Sequence, residues 1–511
     1  MHQRRAWLIL WMLLGRTAAA QQVQPPVFGA RTTLIHVDAL VTDKKGVPIA
    51  DLQAADFEIE SSGKRFPAQV ATFVSMRDPS LRAPDLRDGA KPKAQDVRRV
   101  VTFLFALPRI QFMESGSRAQ VTRFRRSEKL SRMLGSYLEK WMEPSDMVAI
   151  VSLESPRPLL NRLSADPVVI ARTVKNLTDE MLADTSPALF VTEKGLEPIA
   201  RYDLAVAKVA QEAIDRMAAL PGRKLLFVLA PTLRLNDIPG RPMSGFADVR
   251  KELEEVVRRA NRTGVTIHGI TTSPPRGAIG PPPTLSADRP DPMATMGVAS
   301  PPGSDAVASL AERTGGSTSR DIDSAEEDLA RVMERNRGYY LLGYDDGRDS
   351  DDEPRKIRVR VRRSGTVVTT RPVVYPDRVA AVAAKATASA QTLEESLDSA
   401  LAVGDLDVRI GTKIGSSTDG TAALEVMVTI GPNPGQETSS FDLLLRVRDE
   451  HAATVKLEQA QASSAPEQAA RFTTRVLLPR PGVYQVDVAV REGGGVRRGN
   501  ASLTVWTPES F

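Results

Sequence analysis

The sequence predicts an α/β unit built on a parallel sheet and set between segments of β-sandwich. From Val100 to about residue 338, apolar strands alternate with amphipathic helices. Strands separated by helices of that length form parallel sheets that are covered on both faces. Before Val100 and after Gly338, apolar and polar residues alternate with a period of two, which is typical of strands with one buried face.

The composition is that of a globular protein without thiol chemistry. The chain has 511 residues, of which 41% are apolar and 26% are charged. At about 100–200 residues a domain, this length predicts roughly three domains. The absence of cysteine excludes disulfides, thiol catalysis and thiolate metal sites.

Residues 1–20 are predicted to be a secretory signal peptide. Arg4 and Arg5 precede a short apolar run, Ala6–Leu14, and three alanines end the segment. The alternative is an uncleaved N-terminal anchor. Removing the segment removes three arginines and no acid, so the formal net charge falls from +5 to +2. The basic character therefore gives no reason to expect nucleic-acid binding.

No later run reaches eighteen apolar residues, so we expect no membrane span after cleavage and a periplasmic or extracellular protein.

Two short β segments, 21–97 and 339–375, are each too small to close a core. The N-terminal one contains "TTLIHVDALVTDKKGVPIADL", and the second contains "KIRVRVRR" and "TVVTTRPVVY". We therefore expect them to share one sandwich, into which the α/β unit 98–338 is inserted.

Within 98–338 the predicted strands are "VVTFLFA", "DMVAIVSL", "KLLFVLAP" and "VTIHGIT", with amphipathic helices between them. Residues 272–303 form a Pro/Gly-rich loop with no periodicity. Residues 376–403 are predicted to be an Ala-rich helical linker. Residues 404–511 contain about seven short alternating strands, which predicts an immunoglobulin-like β-sandwich.

Several stretches together resemble the von Willebrand factor A-related family of exported bacterial proteins, which is abundant in Acidobacteria. They are "VTDKKGVPIADLQAADFEIESSGK", "PSDMVAIVSL", "GRKLLFVLA" and "LAERTGGSTSR…GYYLLGYDD", in this order. The resemblance spans about Thr33 to Tyr375. It implies a doubly wound α/β domain that binds protein ligands, often through a metal at the strand tips.

The sequence departs from that family where the metal would bind. The family offers Asp-x-Ser-x-Ser after the first strand and an Asp after the fourth. Here Ala106, Pro108 and Ile110 occupy the first three positions, and Pro231 occupies the last. Mg²⁺ requires hard oxygen ligands, so the sequence predicts a degenerate site that holds no metal, and no cofactor.

The predicted function is a non-enzymatic interaction, adhesion or scaffold module that binds an unknown protein ligand. Binding would use the strand tips, with Arg109, Phe112, Thr232 and Arg234 in place of a bridging metal.

Two other functions are open. The chain is either a structural component of the cell envelope, or a hydrolase that uses a carboxylate pair such as Asp203 and Glu212. No spacing rule supports that pair, and the remaining histidines, His36, His268 and His451, lie in separate predicted units.

Three further patterns have both a binding and a structural interpretation. The acidic run 345–353 is a Ca²⁺ site or a solvated turn. The row Arg358, Arg360 and Arg362 is a docking surface or the wet face of a strand. The aromatic stretch "GYYLLGY" is a ligand surface or part of a core. We favour the structural interpretation of all three.

Overall fold

The computed structural model describes most of the chain from Leu34 onward. The described residues are 34–77, 86–106, 117–153, 162–183, 198–230, 233, 246–271, 306–319, 322–348, 353–375, 392–416, 422–432, 439–465, 467–493 and 497–507. The predicted signal peptide, the Pro-rich loop 272–303 and residues 376–391 of the predicted linker lie outside them.

The two short β segments, on either side of the parallel unit, form one two-sheet sandwich. Its strands are β1 (Ile35–Thr42), β2 (Phe57–Ser61), β3 (Lys64–Pro67), β4 (Val70–Ser75), β10 (Gly338–Tyr344), β11 (Arg355–Val361), β12 (Val367–Thr370) and β13 (Val373–Val374). The two antiparallel sheets have the orders β12-β1-β10-β4 and β13-β11-β2-β3. Each sheet therefore joins strands from both ends of the intervening segment. Their alternating apolar side chains meet in one core, which includes Val37, Ile59 and Tyr340.

Between β4 and β10 the chain builds a parallel sheet. Its strands are β5 (Arg99–Phe105), β6 (Asp146–Ser152), β7 (Arg223–Ala230), β8 (Val265–Thr271) and the two-residue β9 (Thr318–Ser319), in the order β6-β5-β7-β8-β9. The helices are α1 (Ser117–Lys140), α2 (Pro167–Ala183), α3 (Pro198–Ala218), α4 (Phe246–Thr263), α5 (Ala306–Arg313) and α6 (Ala325–Arg335). Helices α3, α4 and α5 cover one face, and α1, α2 and α6 cover the other.

Buried charges lie at the amino ends of these strands, where the sheet meets the first sandwich. The fully buried Arg99 guanidinium and Asp146 carboxylate are 2.5 Å apart. Arg223, at the start of β7, lies 3.4 Å from Asp38 of β1. Burial lowers the pKa of the neighbouring Lys224 ammonium to about 8. The ion pair between Arg223 and Asp38 thus joins the two units at this edge.

The C-terminal strands form a second sandwich. They are β14 (Val408–Ser416), β15 (Ala422–Ile430), β16 (Ser439–Arg448), β17 (Thr454–Ser464), β18 (Ala470–Leu477), β19 (Val483–Glu492) and β20 (Arg498–Trp506). A three-stranded sheet, β14-β15-β18, packs against a four-stranded sheet, β17-β16-β19-β20, and every pairing is antiparallel. Its core is made of its own residues, such as Leu443 and Val488.

A crossing segment, residues 86–97, ties this sandwich to the rest of the chain. Ala90 forms an isolated bridge with Ala501 of β20, and the Pro92 carbonyl accepts a hydrogen bond of 2.9 Å from the Ala402 N–H. Helix α7 (Leu393–Asp398) packs its two leucines on Leu444 and Ala489. The outer face of the four-stranded sheet is thereby covered.

The predicted fold class, an α/β protein with a doubly wound von Willebrand A-like domain, is wrong. Among the described residues, four of the five sheets are antiparallel and hold fifteen of the twenty strands, so this part of the chain is mostly β. Local periodicity assigns each segment separately. The class, however, depends on how many strands pair antiparallel along the whole chain, and local periodicity does not report this.

In the part of the chain that the structure describes, no helix has both the length and the hydropathy needed to cross a lipid bilayer.

Candidate functional site

The candidate site lies at the carboxyl ends of the parallel strands. In open sheets with helices on both faces, ligands bind in the crevice beyond those ends. Here the strands end at Phe105, Ser152, Ala230 and Thr271. The tip of the inner strand β5, which pairs with β6 and β7, therefore lies at the expected ligand site.

Ala106, directly after β5, is fully buried and its backbone is closed by hydrogen bonds. Its N–H donates to the Leu229 carbonyl at 2.9 Å, and its carbonyl accepts a short hydrogen bond from the Tyr202 hydroxyl at the start of α3. The hydrogen-bonding capacity of this buried carbonyl is thus already engaged by the hydroxyl. The alanine methyl group supplies no ligand atom.

The other predicted site residues lie outside the described residues. They are Pro108, Arg109, Ile110, Phe112, Pro231, Thr232 and Arg234. Their flanks are described: Ala230 and Leu233 are fully buried, and the Leu233 carbonyl accepts a 3.0 Å hydrogen bond from the Ala306 N–H. The binding prediction for these residues remains a prediction.

The structure does not bring together the carboxylates of the hydrolase alternative. Asp203 and Glu212 lie nine residues apart on α3, which is about 13 Å along the axis and half a turn out of phase. Asp203 is buried, whereas Glu212 is exposed and pairs with Arg216 on the same helix. This pair cannot flank one bond.

The histidines do not form a catalytic group with each other. His268 of β8 is buried and stacks on Phe227 with ring centroids 5.2 Å apart. Its Nδ1 accepts from the Ser317 N–H at 3.2 Å, and burial, aided by Arg223, lowers its pKa to about 3. His36 is exposed on β1, and His451 lies beside Arg480 in the second sandwich.

Among the residues that the structure describes, no three His, Asp or Glu side chains are grouped closely enough to hold a metal ion.

The three further sequence patterns have structural contacts. Asp346 of the acidic run forms a buried ion pair of 2.9 Å with Arg355. Arg360 pairs across the sheet with Glu60 at 3.5 Å. Tyr340 lies in the first sandwich core and accepts a hydrogen bond of 2.9 Å from the Leu52 N–H.

A second candidate site, made of charged side chains, lies at the junction with the C-terminal sandwich. The sequence does not predict it. Asp487 in the middle of β19 has no exposed surface, and its carboxylate accepts from Arg448 at 2.6 Å and from Ser502 at 2.5 Å. Arg162 from the parallel unit and Arg446 lie within 3.5 Å of it. We call Lys91, Arg162, Arg446, Arg448 and Asp487 the junction cluster. The local sequence feature that indicates this site is an Asp inside the mostly apolar strand "VYQVDVAV". The residues that contact this Asp are remote in sequence.

No family model matches this chain, and no curated protein matches it. Solved structures are similar to it only distantly. The pilus adhesin SpaC from Lactobacillus rhamnosus GG is 9% identical, with 86% of this chain and 58% of that chain covered and a TM-score of 0.24. A β-glucosidase from Erythrobacter marinus is 11% identical, with 85% and 49% covered and a TM-score of 0.19. The ApaA protein from Bordetella pertussis is 15% identical, with 21% and 97% covered and a TM-score of 0.16. Similarities of this size carry no inference about function.

Proposed function

We propose that this protein is an exported, non-enzymatic module that binds a protein ligand at the carboxyl edge of its parallel sheet without a bridging metal. The observation that carries the proposal is the closed tip of β5, where the Ala106 backbone is buried and bonded to Leu229 and Tyr202. A ligand at this edge must be recognised by side chains of the surrounding loops. Export is supported by the pattern of residues 1–20.

The sequence after two neighbouring strands of this sheet contains suitable side chains. Arg109 and Arg234 each follow a strand by a few residues, and Phe112 follows Arg109 in the sequence. Arginine and aromatic residues contribute most strongly to protein interfaces, because they combine apolar area with charge-assisted hydrogen bonds.

The proposal is tested by affinity capture from envelope extract with immobilised residues 21–511. We expect one stoichiometric partner that is retained in EDTA, lost from the double variant R109E/R234E and retained by R471E/R475E. The second pair is a matched control because both arginines are exposed on strand β18.

Two results would contradict the proposal. One is capture that EDTA abolishes and Mg²⁺ restores. The other is saturable Mg²⁺ or Ca²⁺ binding in calorimetry that the R109E/R234E variant loses.

A further inference from the structure

The junction cluster lies where three parts of the chain meet. Arg446 and Arg448 are on β16, Asp487 is on the neighbouring β19, and Arg162 comes from the parallel unit between β6 and α2. Lys91 belongs to the crossing segment, and its ammonium donates to the Ser399 carbonyl at 2.6 Å and to the Leu397 carbonyl at 3.4 Å.

The cluster has more positive than negative charge. It has four cations around the carboxylate of Asp487. A second carboxylate, Asp398, lies 2.6 Å from Arg446 but is mostly exposed to solvent. The two carboxylates leave an excess of two positive charges. In a partly buried place such an excess is unfavourable unless a cation loses its proton or an anion joins it.

The pKa values of Asp487, Lys91 and Arg448 reflect the same excess of positive charge. Burial alone would raise the pKa of Asp487, yet Arg162, Lys91 and Arg448 lower it to about 2. Desolvation of the Lys91 ammonium, opposed by Asp487 and reinforced by Arg162, lowers its pKa to about 7. The pKa of Arg448 is also lowered, first by burial and then by the neighbouring cations.

Donor atoms remain unused. The Nε atoms of Arg446 and Arg448 are buried and have no hydrogen-bond partner among the described residues. Among the described residues, Arg162 contacts the Asp487 carboxylate at the long distances of 3.3 and 3.5 Å. The side chains of Arg162, Arg446 and Arg448 keep 29%, 17% and 16% of their surface exposed, so a small ion can reach them from solvent.

We propose that Arg162, Arg446, Arg448 and Lys91 form a binding site for one small, doubly charged oxyanion at the junction between the parallel unit and the C-terminal sandwich. Two charges on the ion neutralise the excess. Planar guanidinium groups match the spacing of oxyanion oxygens and hold them with paired N–H donors. Because Arg162 comes from a different unit than Arg446 and Arg448, the ion also joins the two units. This site lies apart from the proposed ligand-binding edge and does not depend on it.

The experiment titrates the mature full chain with sodium phosphate, sodium sulfate and sodium succinate in calorimetry at low millimolar concentrations. Sodium chloride keeps the ionic strength constant, because sulfate and phosphate also stabilise proteins by general exclusion from the surface. The variants are R162Q, in which a partly exposed partner is lost, and R471Q, which has the same change of charge at an exposed arginine of β18. Circular dichroism establishes that both variants are folded.

We expect saturable binding of one ion per chain. R162Q should weaken binding about tenfold or more, since one charge-assisted contact is lost, and R471Q should bind as the unchanged chain does. Tighter binding of phosphate or sulfate than of succinate identifies an inorganic ion as the source of the oxyanion, and the reverse order identifies a dicarboxylate. The proposal is overturned if no dianion binds more tightly than chloride, or if R162Q and R471Q bind equally well.

Discussion

The Asp487 carboxylate has no solvent exposure and is surrounded by three arginines and a lysine. The effect of a substitution at Asp487 on stability therefore depends on these neighbours. We expect D487N to lower the free energy of unfolding by about 3–5 kcal/mol, because it leaves buried cations without their compensating charge. Urea denaturation of the full chain measures the effect.

The control is D442N, which removes the same charge from the same sheet. Asp442 is partly exposed and pairs with Arg491 at 3.2 Å, so its loss should cost under about 1 kcal/mol. Equal losses from both variants would contradict the account of the junction cluster.

Lys91 should make stability depend on pH in the neutral to alkaline range. Its pKa is about 7 in the folded chain, against a reference of 10.5, so the unfolded chain binds more protons between these two values. Stability should therefore rise with pH across that window and be lost again as pH falls toward 7, by at most about 1.4 kcal/mol per pH unit. The charged groups that face the amine are Asp487, Asp398, Arg162 and Arg446.

The measurement is the free energy of unfolding at a series of pH values for the unchanged chain, for K91M and for K413M. K91M should flatten the rise, whereas K413M, which alters an exposed lysine of β14, should keep it. Lys224, whose pKa is lowered to about 8, also makes the free energy of unfolding rise with pH, and it does so in all three chains. A slope that K91M leaves unchanged would show that another group causes it.

At the scale of elements, two turn glycines with nearly the same backbone geometry differ in their surroundings. Gly222, between α3 and β7, has a φ of +83°, and a Cβ there would lie 2.4 Å from the Arg98 carbonyl oxygen. Gly63, between β2 and β3, has a φ of +85° and nothing within 4 Å. Both alanine variants lose the conformational freedom of glycine, but G222A also forces two strand ends apart. We expect G222A to be more destabilising than G63A by about 1–3 kcal/mol in chemical denaturation; equal effects would contradict this.

Elements with a clear period are predictable from the sequence. The four predicted strands of the parallel sheet are confirmed as β5, β6, β7 and β8, because short, mostly apolar runs between amphipathic helices favour buried parallel strands. Helix α2 escapes prediction: its first turn contains Val168, Val169 and Ile170, and β-branched residues favour strands. The buried face of this helix contains Ile170, Val174 and Leu177. This face becomes apparent only when the sequence is read with the helical period.

The candidate site was less predictable than the elements, for physical reasons. The sequence shows that Ala106 carries no ligand group, but the hydroxyl that closes its carbonyl comes from Tyr202, 96 residues away. The junction cluster is even harder to predict from the sequence, because Arg162 and Asp487 are 325 residues apart. Side-chain periodicity identifies a buried face; it does not identify which distant residue will cover it.

At the scale of the whole molecule, the two sandwiches should differ in their ability to fold alone. All strands and the core of the second sandwich lie within residues 404–511. The first sandwich pairs β1 with β10 and β12, and β2 with β11, so residues 34–97 hold less than one complete sheet.

We therefore expect fragment 404–511 to unfold cooperatively and fragment 34–97 to have no cooperative transition. Circular dichroism with denaturant titration measures both. The second sandwich should be less stable alone than in the full chain, because fragment 404–511 lacks helix α7, whose leucines pack on Leu444 and Ala489. A cooperative transition in fragment 34–97 would contradict the shared core.

The pairing of β4 with β10 has a topological consequence. Ser75, the last residue of β4, lies directly opposite Gly338, the first residue of β10, and the Met76 N–H donates to the Arg337 carbonyl at 2.8 Å. The chain thus leaves the first sandwich and re-enters it at a single point, so the whole parallel unit occupies the place of a hairpin loop. Loop-closure entropy grows only with the logarithm of loop length, and a unit that folds internally removes most of that cost. We therefore expect that domains of other sizes can be spliced between these two neighbouring residues while the register of the surrounding strands is kept.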